Sequence, residues 1–193
     1  MEQNAIYLES VKKQFLYYKL LGEKAINQLA EEQLFLALND DTNSIALIVK
    51  HLSGNMLSRW TDFLTTDGEK DFRNRDAEFE NNWNTKEEVM SHWDKGWNCF
   101  LNSLESLQPE QLNTIIYIRN EGHTVTEAIN RQLAHYPYHI GQIVFSAKQL
   151  KNGDWESLSI PKNKSQSYNA TKFAQEKKIQ HFTDEETNRL KNQ

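Results

Sequence analysis

TVTEAINRQLAHYPYHIGQIVFSAKQLKNG, residues 124–153, decides the fold of this chain. Thr124 and Glu127 stand at the two ends of a capping box, the reciprocal arrangement that starts a helix. Val125, Ile129, Gln132, Tyr136, Ile140, Ile143, Ala147 and Leu150 then recur at spacings of three and four, the period of a helix with one face against a core. Gly153 is suited to ending it. The spacing therefore predicts a long helix over about 125–152. Pro137 lies inside it and is expected to kink or locally open it, because proline removes a backbone donor.

The same pattern repeats upstream. Leu8, Val11, Phe15, Tyr18, Gly22, Ala25 and Leu29 predict a first helix over 4–31, with Gly22 as a close-packing position. Ile45, Ile48, Val49, Leu52, Met56, Trp60 and Phe63 predict a second over about 43–65, capped by Asn43 or Thr42. T-K-E-E at 85–88 is another capping box, opening a third helix that runs to about Leu107. Residues 66–84 have no clear period and read as a connection with a turn or two of helix. Loops this long are uncommon in compact domains and are often functional.

Thr114 to Ile118, with a turn at Asn120 to Gly122, suggests a small β-hairpin near 114–124. After residue 153 an extended stretch precedes two short helices, about 168–179 and 184–191, the second opened by T-D-E-E at Thr183. The reading is an all-α four-helix bundle over 1–153. Residues 154–193 form a C-terminal extension that packs on the bundle or swaps between bundles.

Composition agrees with helices: 7 Gly and 3 Pro leave few turn signals for a sandwich or barrel. A formal charge of −5 with no basic stripe speaks against nucleic-acid binding. A single cysteine, Cys99, allows no intrachain disulfide and reads as a packing residue. The polar N-terminus MEQNAIYLESVKKQ lacks the apolar centre of a signal peptide, and no apolar run reaches bilayer length, so the expected location is the cytoplasm, away from membranes.

His135 and His139 stand one helical turn apart on one face. His139 falls within the apolar stripe and His135 at its border. His51 sits at the corresponding border of the second helix, beside Ile48 and Leu52. Buried imidazoles need partners for both nitrogens. Two readings stand on the residues alone: hydrogen-bonded core histidines, or three ligands of one divalent metal ion. His92 on a helix flank, His123 in a turn and His181 in the tail read as surface residues. Asn55 and Arg131, one turn from His51 and His135, are candidates for contact with those ligands or with substrate; a helix–helix hydrogen bond and a surface ion pair are the alternatives. Arg59, Arg73 and Arg75 suit either an anionic substrate or pairing with Asp62, Asp76 and Glu78. Tyr138 faces away from the stripe and is the weaker candidate.

SIALIVKHLSGNMLSRWTDF at 44–63 and HTVTEAINRQLAHYPYHIGQIVF at 123–145 resemble the DinB/YfiT-like superfamily, most nearly a bacillus-type subfamily with no assigned function. The resemblance extends to WESLSIPKNKS at 155–165. It implies an antiparallel four-helix bundle with a long crossover between helices two and three. It also implies a site of one histidine from the second helix and H-x-x-x-H from the fourth, filled here by His51, His135 and His139. The implied metal is nickel or zinc, with iron or manganese as alternatives, and the implied assembly is a homodimer. Some relatives transfer low-molecular-weight thiols or isomerise thiol adducts. Three function classes follow: a metal-dependent thiol transferase or hydrolase acting on a small molecule, a non-catalytic metal-binding or stress-related protein, and a dimeric scaffold without metal chemistry.

Overall fold

The computed structural model describes residues 2–192. Four long helices form the bundle: α1 (Glu2–Asn27), α2 (Ile45–Trp60), α3 (Lys86–Ser106) and α4 (Val125–Lys151). A hairpin of β1 (Ile115–Ile118) and β2 (Glu121–Thr124) leads into α4, and α5 (Ser165–Phe173) and α6 (Thr183–Lys191) follow it. The fold is all-α with a small antiparallel hairpin. Among the described residues no helix is long and apolar enough to cross a membrane.

The neighbours of each helix give its direction. Lys12 pairs with Glu105 and Lys19 with Asp94, so α1 runs against α3. Tyr7 donates to Asn130, and Gly22 lies against Ile140, so α1 and α4 run together. Ser53 lies against Gly96, and Ser103 donates to the Trp60 carbonyl, so α2 and α3 also run together. Two parallel neighbours require the chain to travel back along the helix before starting again. Helix α2 has 16 residues, a length of about 24 Å. The long connection over residues 61–85 covers that return.

The core is aromatic. Phe15 meets Phe100 edge-on at 4.5 Å between centroids, and Phe100 meets Tyr136 at 5.1 Å. Trp93, Trp97, Phe100 and Tyr136 are all buried, and rings of that size fill the space between four helices with few residues. Gly22 does pack closely: a Cβ there would come within 3.0 Å of Ile140 Cδ1 and into the Trp93 ring.

Capping follows the sequence at two of the expected starts, since Thr85 with Glu88 and Thr124 with Glu127 both form complete boxes. Elsewhere the boundaries differ. Helix α1 ends at Asn27, four residues early, because the chain tightens into i→i−3 bonds at Gln28 and Leu29 and turns to cross the bundle end. Ser44, not Asn43 or Thr42, caps α2 by accepting from the Leu47 N–H. That helix stops at Trp60, with Asp62 left-handed at φ 47°. The hairpin turns at Arg119 and Asn120, with φ of 56° and 61°, and Gly122 lies in β2. Both turn N–H groups reach the Asp67 carboxylate, at 2.8 and 2.9 Å, which staples the hairpin tip to the connection. Pro137 does not break α4, which runs unbroken through it.

The T-D-E-E box at Thr183 is not formed. Thr183 is buried inside α6 and bonds His181 Nδ1 instead. Helix α6 lies along α1, with Leu190 buried and Asp184 paired to Lys13 at 3.1 Å. His181 bonds Ser10 at 3.1 Å, and His92 stacks on Trp83 at 4.3 Å. Both are half-buried rather than surface residues, as is His123 in β2, because tertiary packing covers a flank, a strand and a tail that look exposed in the sequence.

Candidate metal centre

Helices α2 and α4 run against each other, which brings His51 opposite His135 and His139. Their side-chain nitrogens lie within 4.8 Å of one another. His51 Nε2 is 3.4 Å from His135 Nε2, and His139 Nε2 is 3.2 Å from it. Two nitrogens bound tetrahedrally at about 2.0–2.1 Å stand roughly 3.3 Å apart, so the cluster is compatible with a single ion. His51 is 7 % exposed. His135 and His139 are both half-buried, so His139 shares the border position rather than lying deeper.

The outer nitrogen of each ring is occupied by an oxygen. Glu78 Oε2 takes His51 Nδ1 at 2.9 Å, Gln132 Oε1 lies 3.4 Å from His135 Nδ1, and Gln142 Oε1 lies 2.7 Å from His139 Nδ1. Burial alone would raise the Glu78 carboxyl, but hydrogen bonds from His51 and Arg73 outweigh it and hold it below the usual carboxylate range. An ionised carboxylate only accepts, so the His51 Nδ1–H donates to it and Nε2 is the nitrogen left facing the other two histidines. Gln132 and Gln142 face Nδ1 of the other two rings in the same way, so all three Nε2 atoms are turned toward one point. Such partners on metal-bound imidazoles fix the tautomer and raise ligand basicity. His135 is pushed down to about 4, first by burial and then by the neighbouring histidines and arginines, and His139 is lowered by burial. Both rings therefore stay neutral near pH 7, as ligation requires.

The supporting parts come from the whole chain. Glu78 belongs to a single turn of 3-10 helix, Asp76–Phe79, in the long connection. It is 5 % exposed and is held by Arg73, whose Nε donates at 2.7 Å. The connection is largely exposed and carries one helical turn, as its sequence suggests, but it lays Glu78 into the site. Gly54, three residues after His51, makes room for Glu78, since a Cβ there would lie 2.9 Å from the Glu78 Cδ. Phe79 stacks on the His51 ring at 5.5 Å. Tyr136, beside His135, accepts from Trp60 Nε1 and donates to Asn55 Oδ1, both at 3.2 Å, which ties α4 to α2 directly behind the site.

The three histidines face a cleft of about 460 Å³ that also takes in Asn55, Arg59, Arg73, Arg75 and Arg131. Asn55 makes the helix–helix hydrogen bond to Tyr136 and borders the cleft as well. Arg131 is exposed on the rim and touches none of the histidines through a hydrogen bond. Arg73 pairs with Glu78 as the sequence allows, whereas Arg59 pairs with Glu69 rather than Asp62. Tyr138 borders the cleft with its ring 5.1 Å from His139, so the stripe geometry placed it too far away. Cys99 is half-buried beside Thr61, outside the cleft. A larger hollow of about 570 Å³ lies between α1 and α3, but it holds no histidine and its Lys12 is paired with Glu105.

Glu78, Gln132 and Gln142 were not singled out by the sequence as supports for the histidines. Gln132 precedes His135 by three and Gln142 follows His139 by three, a spacing that puts each pair on one helix face. An amide inside an apolar stripe was the available signal. Glu78 lies 27 residues from His51, and only its pairing with Arg73 could be anticipated.

Over residues 2–164 the chain matches the model of a family described as "Protein of unknown function (DUF1572)". It belongs to that family. The match spans the bundle, the hairpin and every residue of the candidate centre, and stops just before α5. It carries no link to the DinB/YfiT superfamily. No curated protein and no solved structure matches the chain. The DUF1572 assignment names no activity, so the chemistry has to be argued from the site.

Proposed function

We propose that this protein holds one divalent metal ion with His51, His135 and His139 and uses it on a small molecule bound in the adjoining cleft, in the manner of the DinB/YfiT-like proteins it resembles. The observation that carries this reading is the pairing of each Nδ1 with an oxygen while the three Nε2 atoms converge. A shared cation would satisfy all three Nε2 atoms at once. Imidazole ligands suit nickel or zinc, and iron among the alternatives.

Three neutral protein ligands leave coordination positions open, as in catalytic rather than structural sites. An ion held there supplies a Lewis acid that makes a bound water or thiol more acidic. The residues of this chain do the positioning. Glu78, Gln132 and Gln142 orient the rings, Phe79 stacks on His51, the buried Tyr136 packs beside His135, and the cleft gives a small molecule access. Thiol transfer and hydrolysis are the reactions this supports.

The test is metal content by mass spectrometry on tag-free protein, before and after incubation with zinc, nickel, manganese and iron salts. A His135→Ala/His139→Ala variant serves as control. Near-stoichiometric metal that is lost in the still-folded variant is expected and would justify thiol-transfer and hydrolysis assays. Absence of metal after incubation, or equal metal in the variant, overturns the reading.

A further inference from the structure

The cleft above the histidines is basic although the chain is not. Arg59, Arg73, Arg75, Arg119 and Arg131 border it and no Asp or Glu does, in a protein of formal charge −5. They arrive from separate elements: α2, the long connection, the hairpin turn and α4. The carboxylates behind them are already shared. Glu69 meets Arg59 and Arg119 at 3.0 Å each and Arg73 at 3.7 Å, and Glu78 serves both Arg73 and His51. Even with Asp67 at the hairpin tip counted beside Glu69 and Glu78, the five arginines outnumber the carboxylates that meet them.

Arg75 and Arg131 are exposed, and among the described residues neither makes an ion pair. Converging cations in a concave, partly desolvated site repel one another and favour an anion. A guanidinium offers a planar fork that matches a carboxylate or phosphate with two parallel hydrogen bonds. A volume of about 460 Å³ lies in the range of small-molecule sites.

We propose that this cleft binds a small oxyanion-bearing molecule, its carboxylate or phosphate gripped by Arg75 and Arg131 on the rim, with the rest of the molecule directed at the three histidines. The inference rests on the metal reading for the end that faces the histidines; the anion grip does not need the ion. Arg119, tethered through Glu69, closes the hairpin side. The hairpin and the long connection, stapled together through Asp67, are thereby given a purpose: they carry cations to a site whose metal ligands lie on α2 and α4.

The experiment is titration calorimetry on the tag-free full chain, metal-loaded and chelator-treated, with succinate, inorganic phosphate and the neutral succinamide. An Arg75→Gln/Arg131→Gln variant is carried alongside, with its metal content measured. Saturable binding of succinate or phosphate is expected, with none of succinamide. In the variant it should weaken roughly tenfold or more, while metal per chain is unchanged. Preference for succinate assigns a carboxylate source and preference for phosphate a phosphate source. Binding that needs the metal and ignores the two arginines, binding of succinamide as strong as succinate, or no binding of either anion at millimolar concentration overturns the proposal. If the chain takes up no metal yet binds anions through these arginines, the metal reading fails and this one stands.

Discussion

Replacing Glu78 by Gln removes one charge and keeps the shape, so it isolates what the carboxylate does for His51. Glu78 accepts from His51 on Oε2 and from Arg73 on both oxygens, at 2.7 and 3.1 Å. A glutamine offers one accepting oxygen and one donating NH₂ in the same place. The three contacts cannot all be kept. If the oxygen stays with Arg73, the NH₂ faces His51 Nδ1, and the ring relieves the clash by moving its proton to Nε2. That nitrogen then cannot bind a metal, and the cluster falls from three ligands to two. If the oxygen turns to His51, it still accepts from Arg73 Nη2, but the NH₂ then faces the Arg73 Nε–H and that 2.7 Å contact is lost.

Loss of such a supporting partner lowers metal affinity about 10–100-fold, or roughly 1.4–2.8 kcal/mol. The assay is competition for zinc against a chromophoric chelator at pH 7.5, with circular dichroism confirming the fold. Long-range nitrogen–proton NMR reports which His51 nitrogen carries the proton. Zinc affinity within about threefold of wild type in folded Glu78→Gln, with the His51 proton still on Nδ1, would refute the argument that this carboxylate sets the ligand.

Two further outcomes follow from the same geometry. Gly54→Ala places a methyl group against the Glu78 carboxylate without touching a ligand. It should weaken zinc binding in the same assay, while gaining up to about 1 kcal/mol of helix propensity; unchanged affinity would mean that Glu78 moves freely. Stability of the metal-free chain should depend on pH through His135 and His139. His135 is held down from the ordinary 6.5 to about 4 by burial and its charged neighbours, and His139 is lowered in the same direction. The unfolded chain therefore binds more protons between those values, and stability present above pH 6.5 is lost as pH falls toward 4. Urea unfolding of chelator-treated protein at pH 7.5 and pH 5 should show this loss, reduced in His135→Ala/His139→Ala; an equal loss in the variant would place the titration elsewhere.

Much of this protein is determined locally. Stripes spaced by three and four, and capping boxes at Thr85 and Thr124, fix α3 and α4 almost to the residue, because both are short-range physics. The pairing of His135 with His139, and the kinship of His51 with them, are likewise visible as face and spacing. Boundaries failed where the chain serves a tertiary path: α1 stops early to cross the bundle end, and Thr183 is drawn into a buried contact instead of a cap.

The rest belongs to the tertiary structure alone. Glu78 meets His51 only because α2 and α3 run together, which obliges the connection to travel back along the bundle and lay its one helical turn over α2. Five arginines meet in one cleft only because an Asp67 staple draws the hairpin tip to that connection. Sequence spacing encodes which residues share a helix face. It does not encode which distant segments share a cleft, because that is decided by helix direction, by loop path and by a few long-range hydrogen bonds.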